Sequence, residues 1–224
     1  MRLKALVAAA LLGTFTPSHA ADTKPIDAAL SEAEKNDRLR LSYTMKFQWP
    51  GEVPVTVRYD AAAKRFSTLE GDEDALPREA RQKLRNIKKS ESEPGGLLYA
   101  DFRKHLDDIT LLEETEENYI YRFIPAQVDE DDVTDTAQDV VRARLIVSKE
   151  DNRLARYEVK GLQEFKPNAA ARMEEFEVVQ EFERLGEDGP AVLVRLYSRQ
   201  KGEQFFRKVD TEFTATFSDF EPVE

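Results

Sequence analysis

The chain offers few residues with which to do covalent chemistry. It contains no cysteine, which excludes thiol catalysis, disulfides and Cys-ligated metal. Its two histidines are His19 and His105, and the first lies in an N-terminal segment read below as a cleavable signal. His105 is therefore the one imidazole of the mature chain, set between Lys104 and Asp107-Asp108. A nucleophile–His–acid arrangement must use it, and no Gly-x-Ser-x-Gly elbow exists to supply the nucleophile. A lone histidine among charges reads as a surface or structurally satisfied group. A His-rich transition-metal site is excluded.

Carboxylates are plentiful but poorly spaced for a cation. Asp129, Glu130, Asp131, Asp132 and Asp135 crowd one segment, and Gly71 to Asp74 is similar. A helix–loop–helix calcium site needs acids at alternate positions, a glycine and a closing glutamate. Here Val133 follows Asp132, and the next glycine is Gly161. Both segments read as solvated loops, so no metal, no cofactor and no catalytic residue is assigned. Paired carboxylates for a hydrolase stay open as a minor alternative, because an acid-rich chain offers many pairs by chance. Arg78, Arg81, Lys83, Arg85, Lys88 and Lys89 cover one amphipathic helix. They either dock an anionic partner or form a solvated face neutralising nearby carboxylates, and the second is the default.

What the sequence does supply is aromatic surface on alternating rows. Leu39, Leu41, Tyr43, Met45, Phe47 and Trp49 alternate with Arg40, Ser42, Thr44, Lys46 and Gln48. After Pro50-Gly51, Val53, Val55, Val57 and Tyr59 alternate with polar residues again. A period of two means strands with one buried and one wet face. Antiparallel partners share a face, so the two odd rows meet only across a loop with an odd number of residues. A three-residue loop, Pro50-Gly51-Glu52, would pair Trp49 with Val53, Phe47 with Val55 and Met45 with Val57; a five-residue loop also satisfies the rule.

Helices and further strands must position this face. Thr23 reads as an N-cap with Pro25 in the first turn, and Ile26, Leu30 and Ala33 recur at helical spacing, ending near Asp37. Lys64 to Leu69 reads as a third strand anchored by Phe66. Leu76, Ala80, Leu84 and Ile87 make a second helix with Pro77 in its first turn. Leu98, Phe102, Leu106 and Ile109, after the break at Pro94-Gly95-Gly96, predict a third, short helix. Narrow single stripes need a surface to bury against, and the sheet supplies it. From about Thr110 strand follows strand. Tyr119, Tyr121 and Phe123 are followed by an acidic loop over Gln127 to Asp139. Val141 to Val147, Ala155 to Val159 and Phe176 to Phe182 come next. Glu187 to Pro190 turns into a row of Val192, Val194 and Leu196, and Val209 to Phe217 is the last long strand. Segregated helices and meandering strands make the class α+β, in one domain spanning 21–224.

The N-terminus carries an address. Arg2 and Lys4 precede an apolar run from Ala5 to Phe15, and Ser18-His19-Ala20 places small residues where a signal peptidase reads. Residues 1–20 are read as a signal peptide, cleaved before Ala21. The run is shorter than the roughly twenty residues of a spanning helix, so no stable membrane anchor is expected. The formal charge is −11 for the whole chain, and losing Arg2 and Lys4 makes it about −13. That balance argues against nucleic acid and anionic membrane surfaces as partners, since like charges repel. The expected compartment is the periplasm.

The strand pair from Ala143-Arg144-Leu145-Ile146-Val147 to Val159, and the ending Phe213-Thr-Ala-Thr-Phe-Ser-Asp-Phe220 read as a strand closing on a polar-aromatic turn, complete a pattern similar to the periplasmic lipoprotein-carrier (Lol-type) superfamily. The resemblance covers most of Ala21 to Glu224 and is one of architecture. It implies an unclosed antiparallel β-barrel of roughly 9–11 strands with about three α-helices on its concave face, and a cavity that in many members holds acyl chains. On that reading the protein is a non-enzymatic binding or carrier protein for a lipid or other apolar ligand. Tyr43, Phe47, Trp49, Tyr59, Tyr121, Phe123, Tyr157 and Phe213 are its candidate ligand-binding residues. The alternative is a non-catalytic envelope protein with a filled core that acts through protein contacts.

Overall fold

The structure, a computed structural model, describes residues 23–36, 39–91, 97–99, 102–103, 106–125, 140–168, 171–204 and 207–223. The signal peptide, Pro94 to Gly96, His105 and the acidic loop from Gln127 to Asp139 lie outside the described residues.

Helix α1 (Lys24–Lys35) comes first and buries Ile26, Ala29, Leu30 and Ala33. Thr23 stands at its N-cap but makes no side-chain capping bond; its carbonyl instead accepts from Asp27 N at 3.0 Å. Strands β1 (Arg40–Gln48), β2 (Val55–Asp60) and β3 (Arg65–Glu70) follow, then α2 (Arg78–Glu91). The opening register is the one parity demands: Phe47 faces Val55, Met45 faces Val57 and Tyr43 faces Tyr59. The expected closing pair of Trp49 and Val53 does not form, because a β-turn takes its place. Glu52 N donates to the Trp49 carbonyl at 3.1 Å, with Pro50 and Gly51 central and Gly51 at φ +78.

The second half is strand throughout: β4 (Leu106–Glu114), β5 (Asn118–Pro125), β6 (Val141–Ser148), β7 (Leu154–Gly161), β8 (Phe165–Asn168), β9 (Ala171–Arg184), β10 (Ala191–Gln204) and β11 (Arg207–Val223). All pairs are antiparallel, in the order β3-β2-β1-β11-β10-β9-β7-β6-β5-β4, with β8 continuing along the edge of β9. The last strand returns beside the first, and β3 and β4 remain as unjoined edges among the described residues, so the eleven-stranded sheet does not close on itself.

The structure differs from three further expectations. The described residues contain two α-helices, where about three were expected. Leu106 and Ile109 belong to β4; of the described residues before it, Phe102 and Arg103 turn helically, with Phe102 N bonded to the Tyr99 carbonyl at 3.1 Å. Pairing of Thr110 with Arg122 and Leu111 with Tyr121 outweighs the apparent helical spacing, which β-branched Ile109 and Thr110 disfavour anyway. The row Val192–Val194–Leu196 is split by a bulge between Leu193 and Arg195. Leu193 joins the main core, while Val192 packs with Leu41 and Leu98 in a smaller cluster. The Phe213–Phe220 ending does not turn. It runs on to Val223 through a second bulge, where Asp219 and Phe220 together oppose Tyr43.

Candidate functional site

The inward rows of the sheet and the stripes of both helices form one hydrophobic cluster. Ile26 and Leu30 from α1 and Ala80, Leu84 and Ile87 from α2 enter the same core as Phe47, Leu145 and Phe213. Both helices therefore cover the same side of the sheet, as their single apolar stripes require.

All eight aromatic residues singled out from the sequence join this cluster. At the β1–β2–β11 end, the Tyr43 ring lies 5.3 Å from Tyr59 and 5.8 Å from Phe217. Phe47 sits 6.3 Å from Trp49 and 5.6 Å from Phe213. In the other half of the sheet, Phe123 lies 5.3 Å from Tyr157, which also meets Phe102 at 4.8 Å. Tyr121 is fully buried on β5. Six of the eight are buried; Trp49 and Tyr157 are half-buried against the cluster. Such spacings are those of favourable aromatic pairs, so these rings already satisfy one another. Burial pushes the Tyr157 hydroxyl up to about 12.

A polar group interrupts the apolar side beneath α2, and sequence reading missed it. Gln200 on β10 stands between Phe176 on β9 and Thr211 on β11, and Ser198 one step along stands between Val178 and Phe213. Antiparallel partners share a face, so these polar residues lie on the inward side with the aromatic rows. Lys83 of α2 reaches down to them, its Nζ donating to Gln200 Oε1 at 3.4 Å. Among the described residues no carboxylate pairs with Lys83, and burial alone pulls its pKa below the ordinary lysine value. Thr211 is 6% exposed, and its Oγ1 is buried with no hydrogen-bond partner among the described residues. An orphaned buried hydroxyl costs about 1–3 kcal/mol, so a ligand atom that met it would be welcome. The available signal was position: Lys83 immediately precedes Leu84 and lies three residues beyond Ala80, at the margin of the buried stripe.

Two other basic residues of α2 behave differently. Lys88 pairs with Glu73 at 2.6 Å and lies 5.4 Å over the Phe66 ring, and Arg81 approaches Asp74 at 3.6 Å. This is the neutralising role taken as the default for that helix. Among the described residues, no three His, Asp or Glu side chains are grouped to hold a metal ion. Nor is any described helix long and apolar enough to cross a membrane.

No protein-family model matches the sequence, and no curated protein matches it. Among solved structures the chain is similar to a LolA superfamily protein from Nitrosomonas europaea. That match has 12% identity and a TM-score of 0.41, and covers 88% of this chain and 93% of the other. It is also similar to a DUF1329 family protein from Desulfovibrio piger at 10% identity and a TM-score of 0.34, with the same coverage. The resemblance is one of architecture.

Proposed function

We propose that this is an exported, non-catalytic binding or carrier protein that holds an apolar ligand, a lipid or an acyl chain, between the sheet and its helices. The supporting observation is the inward face of an unclosed sheet. It carries half-buried Trp49, Tyr157, Phe176 and Leu196 around a fully buried aromatic row, with two helices laid over the same side. A covered apolar face of this kind, with a few polar groups, is the usual form of a small-molecule site. The signal-like N-terminus supports export to the periplasm. A second reading has its own support: the ring contacts of Tyr43, Tyr59, Phe123 and Tyr157 are those of a filled core, as in an envelope protein acting through protein contacts.

Native mass spectrometry of protein purified from its own envelope separates the two. The carrier reading expects a bound lipid mass and saturable uptake of a fluorescent fatty acid. A clean apo mass with no uptake would sink it and leave the filled-core reading.

A further inference from the structure

Ligand recognition on an apolar face is set by its few polar groups, and here they are all donors or can become so. Lys83 brings an ammonium whose one hydrogen-bonded neighbour among the described residues is the neutral amide oxygen of Gln200, at a long 3.4 Å. Thr211 brings a buried hydroxyl with no partner among the described residues. Gln200 is the strand neighbour of Thr211, so hydroxyl, amide and ammonium gather at one place on the inward face. A cation partly withdrawn from water is stabilised by a compensating anion. The molecule's 44 acidic residues supply partners for many of its other cations but none for this one among the described residues.

We propose that Lys83, Gln200 and Thr211 form a headgroup site for the carboxylate of an amphiphile whose chain lies along Phe176, Leu196 and Phe213. This rests on the apolar-ligand reading above and narrows it to an acidic amphiphile. One carboxylate oxygen takes the Lys83 ammonium and the other the Thr211 hydroxyl, while Gln200 turns its amide N–H to either. The adjoining rows are apolar: Phe176 is the register partner of Gln200, and Phe213 that of Ser198. Leu196 follows on the same strand, packed against the core. An uncharged alcohol would leave the ammonium unpaired, and a cationic headgroup would be repelled.

The test compares dodecanoate, dodecanol and acetate by calorimetric titration of the full-length mature protein, with Lys83→Met, Lys83→Arg and Thr211→Val beside the wild type. The wild type is expected to bind dodecanoate about tenfold or more tightly than dodecanol, the scale of one charge-assisted hydrogen bond. Lys83→Met should bind the two equally, Lys83→Arg should keep the preference, and Thr211→Val should reduce it. An unchanged far-UV circular dichroism spectrum and thermal midpoint show that each variant is folded. Equal affinity of the wild type for acid and alcohol overturns the headgroup assignment and leaves the apolar-ligand reading standing, as does a preference that survives Lys83→Met. Acetate binding as tightly as dodecanoate overturns it in favour of a free-anion site. No binding of either twelve-carbon probe overturns both readings.

Discussion

Arg184 shows how single residues hold a helix to this sheet. Its Nη1 and Nη2 donate to the two Glu32 carboxylate oxygens of α1 at 2.8 and 3.2 Å, and its Nε donates to Asp151 at 2.9 Å. It also reaches the Gly189 and Asp151 carbonyls. Asp151 in turn accepts from Arg153 at 2.8 Å. One guanidinium thus joins α1, the β6–β7 turn and both ends of the β9–β10 turn, using a bidentate fork that lysine cannot reproduce. Hydrogen bonds to Glu32 raise the Arg184 pKa beyond its ordinary value. Burial alone would push the Asp151 carboxyl up, but the bonds from Arg184 and Arg153 outweigh it and hold the group below 3.8. Arg184→Ala is expected to lose about 2–3 kcal/mol in urea unfolding, below the full cost of breaking a buried pair because the cluster is partly wet. Arg184→Lys should recover only part. The sign of the pH effect follows from the depressed Asp151 value. Its stabilisation is complete above the unfolded value of about 3.8 and is lost as pH falls through the folded one. The stability gap between wild type and Asp151→Asn should therefore be constant at neutral pH and shrink in acid. A gap that held down to pH 2 would show that the Asp151 charge does no such work.

At the level of elements, the bulges decide what strict alternation leaves open. The shift between Lys201 and Gly202 brings β10 so close to β9 that a Cβ on Gly202 would stand 2.1 Å from the Arg172 carbonyl oxygen. Gly202→Ala should cost about 2–3 kcal/mol, since backbone must move. Gly51→Ala, at φ +78 with nothing within 4 Å, should cost about 1 kcal/mol from the left-handed conformation alone. Equal losses in thermal melts would show that the close approach carries no penalty. The same devices explain which parts of the fold could be read from the sequence. Parity fixed the pairing of Phe47 with Val55 because side-chain period and strand pairing obey one geometric rule. Alternation cannot see an inserted residue, so the pattern alone puts Val192 and Leu196 in one row although a bulge separates them. Nor could it see the extra residue at Asp219-Phe220, held by Arg58, which donates to the Asp219 carbonyl at 2.6 Å and pairs with Glu221. The spacing of Leu98, Phe102, Leu106 and Ile109 fits a helix as well as a turn running into a strand. Only the partner strand, Tyr119 to Arg122, chooses between them. Lys83 was hidden for a related reason: a cation beside an apolar stripe looks solvated until the opposite surface is known.

Across the whole molecule, charge is sorted by face. Outward residues of the long strands pair across the sheet, as Arg156 with Glu181 at 3.3 Å, Lys160 with Glu177 at 3.1 Å and Arg199 with Glu175 at 3.0 Å. Such exposed pairs add little stability each, and they leave cohesion to the inward side. That side is one cluster drawing on α1, α2, the opening hairpin and strands of both halves of the sheet. A shared core of this kind predicts a single cooperative unfolding transition. The sequence provides an internal reporter, because Trp49 is the only tryptophan and packs against the cluster beside Phe47. Its fluorescence should therefore lose its native signal at the same temperature at which far-UV circular dichroism records loss of the sheet. A lower fluorescence midpoint would mean that the β1–β2 hairpin loosens alone and is not part of the common core. The two probes also bear on the ligand. A molecule bound between sheet and helices stabilises the folded state as a whole, so saturating dodecanoate should raise both midpoints together. A shift confined to the fluorescence signal would place the ligand at the hairpin end alone, away from Lys83.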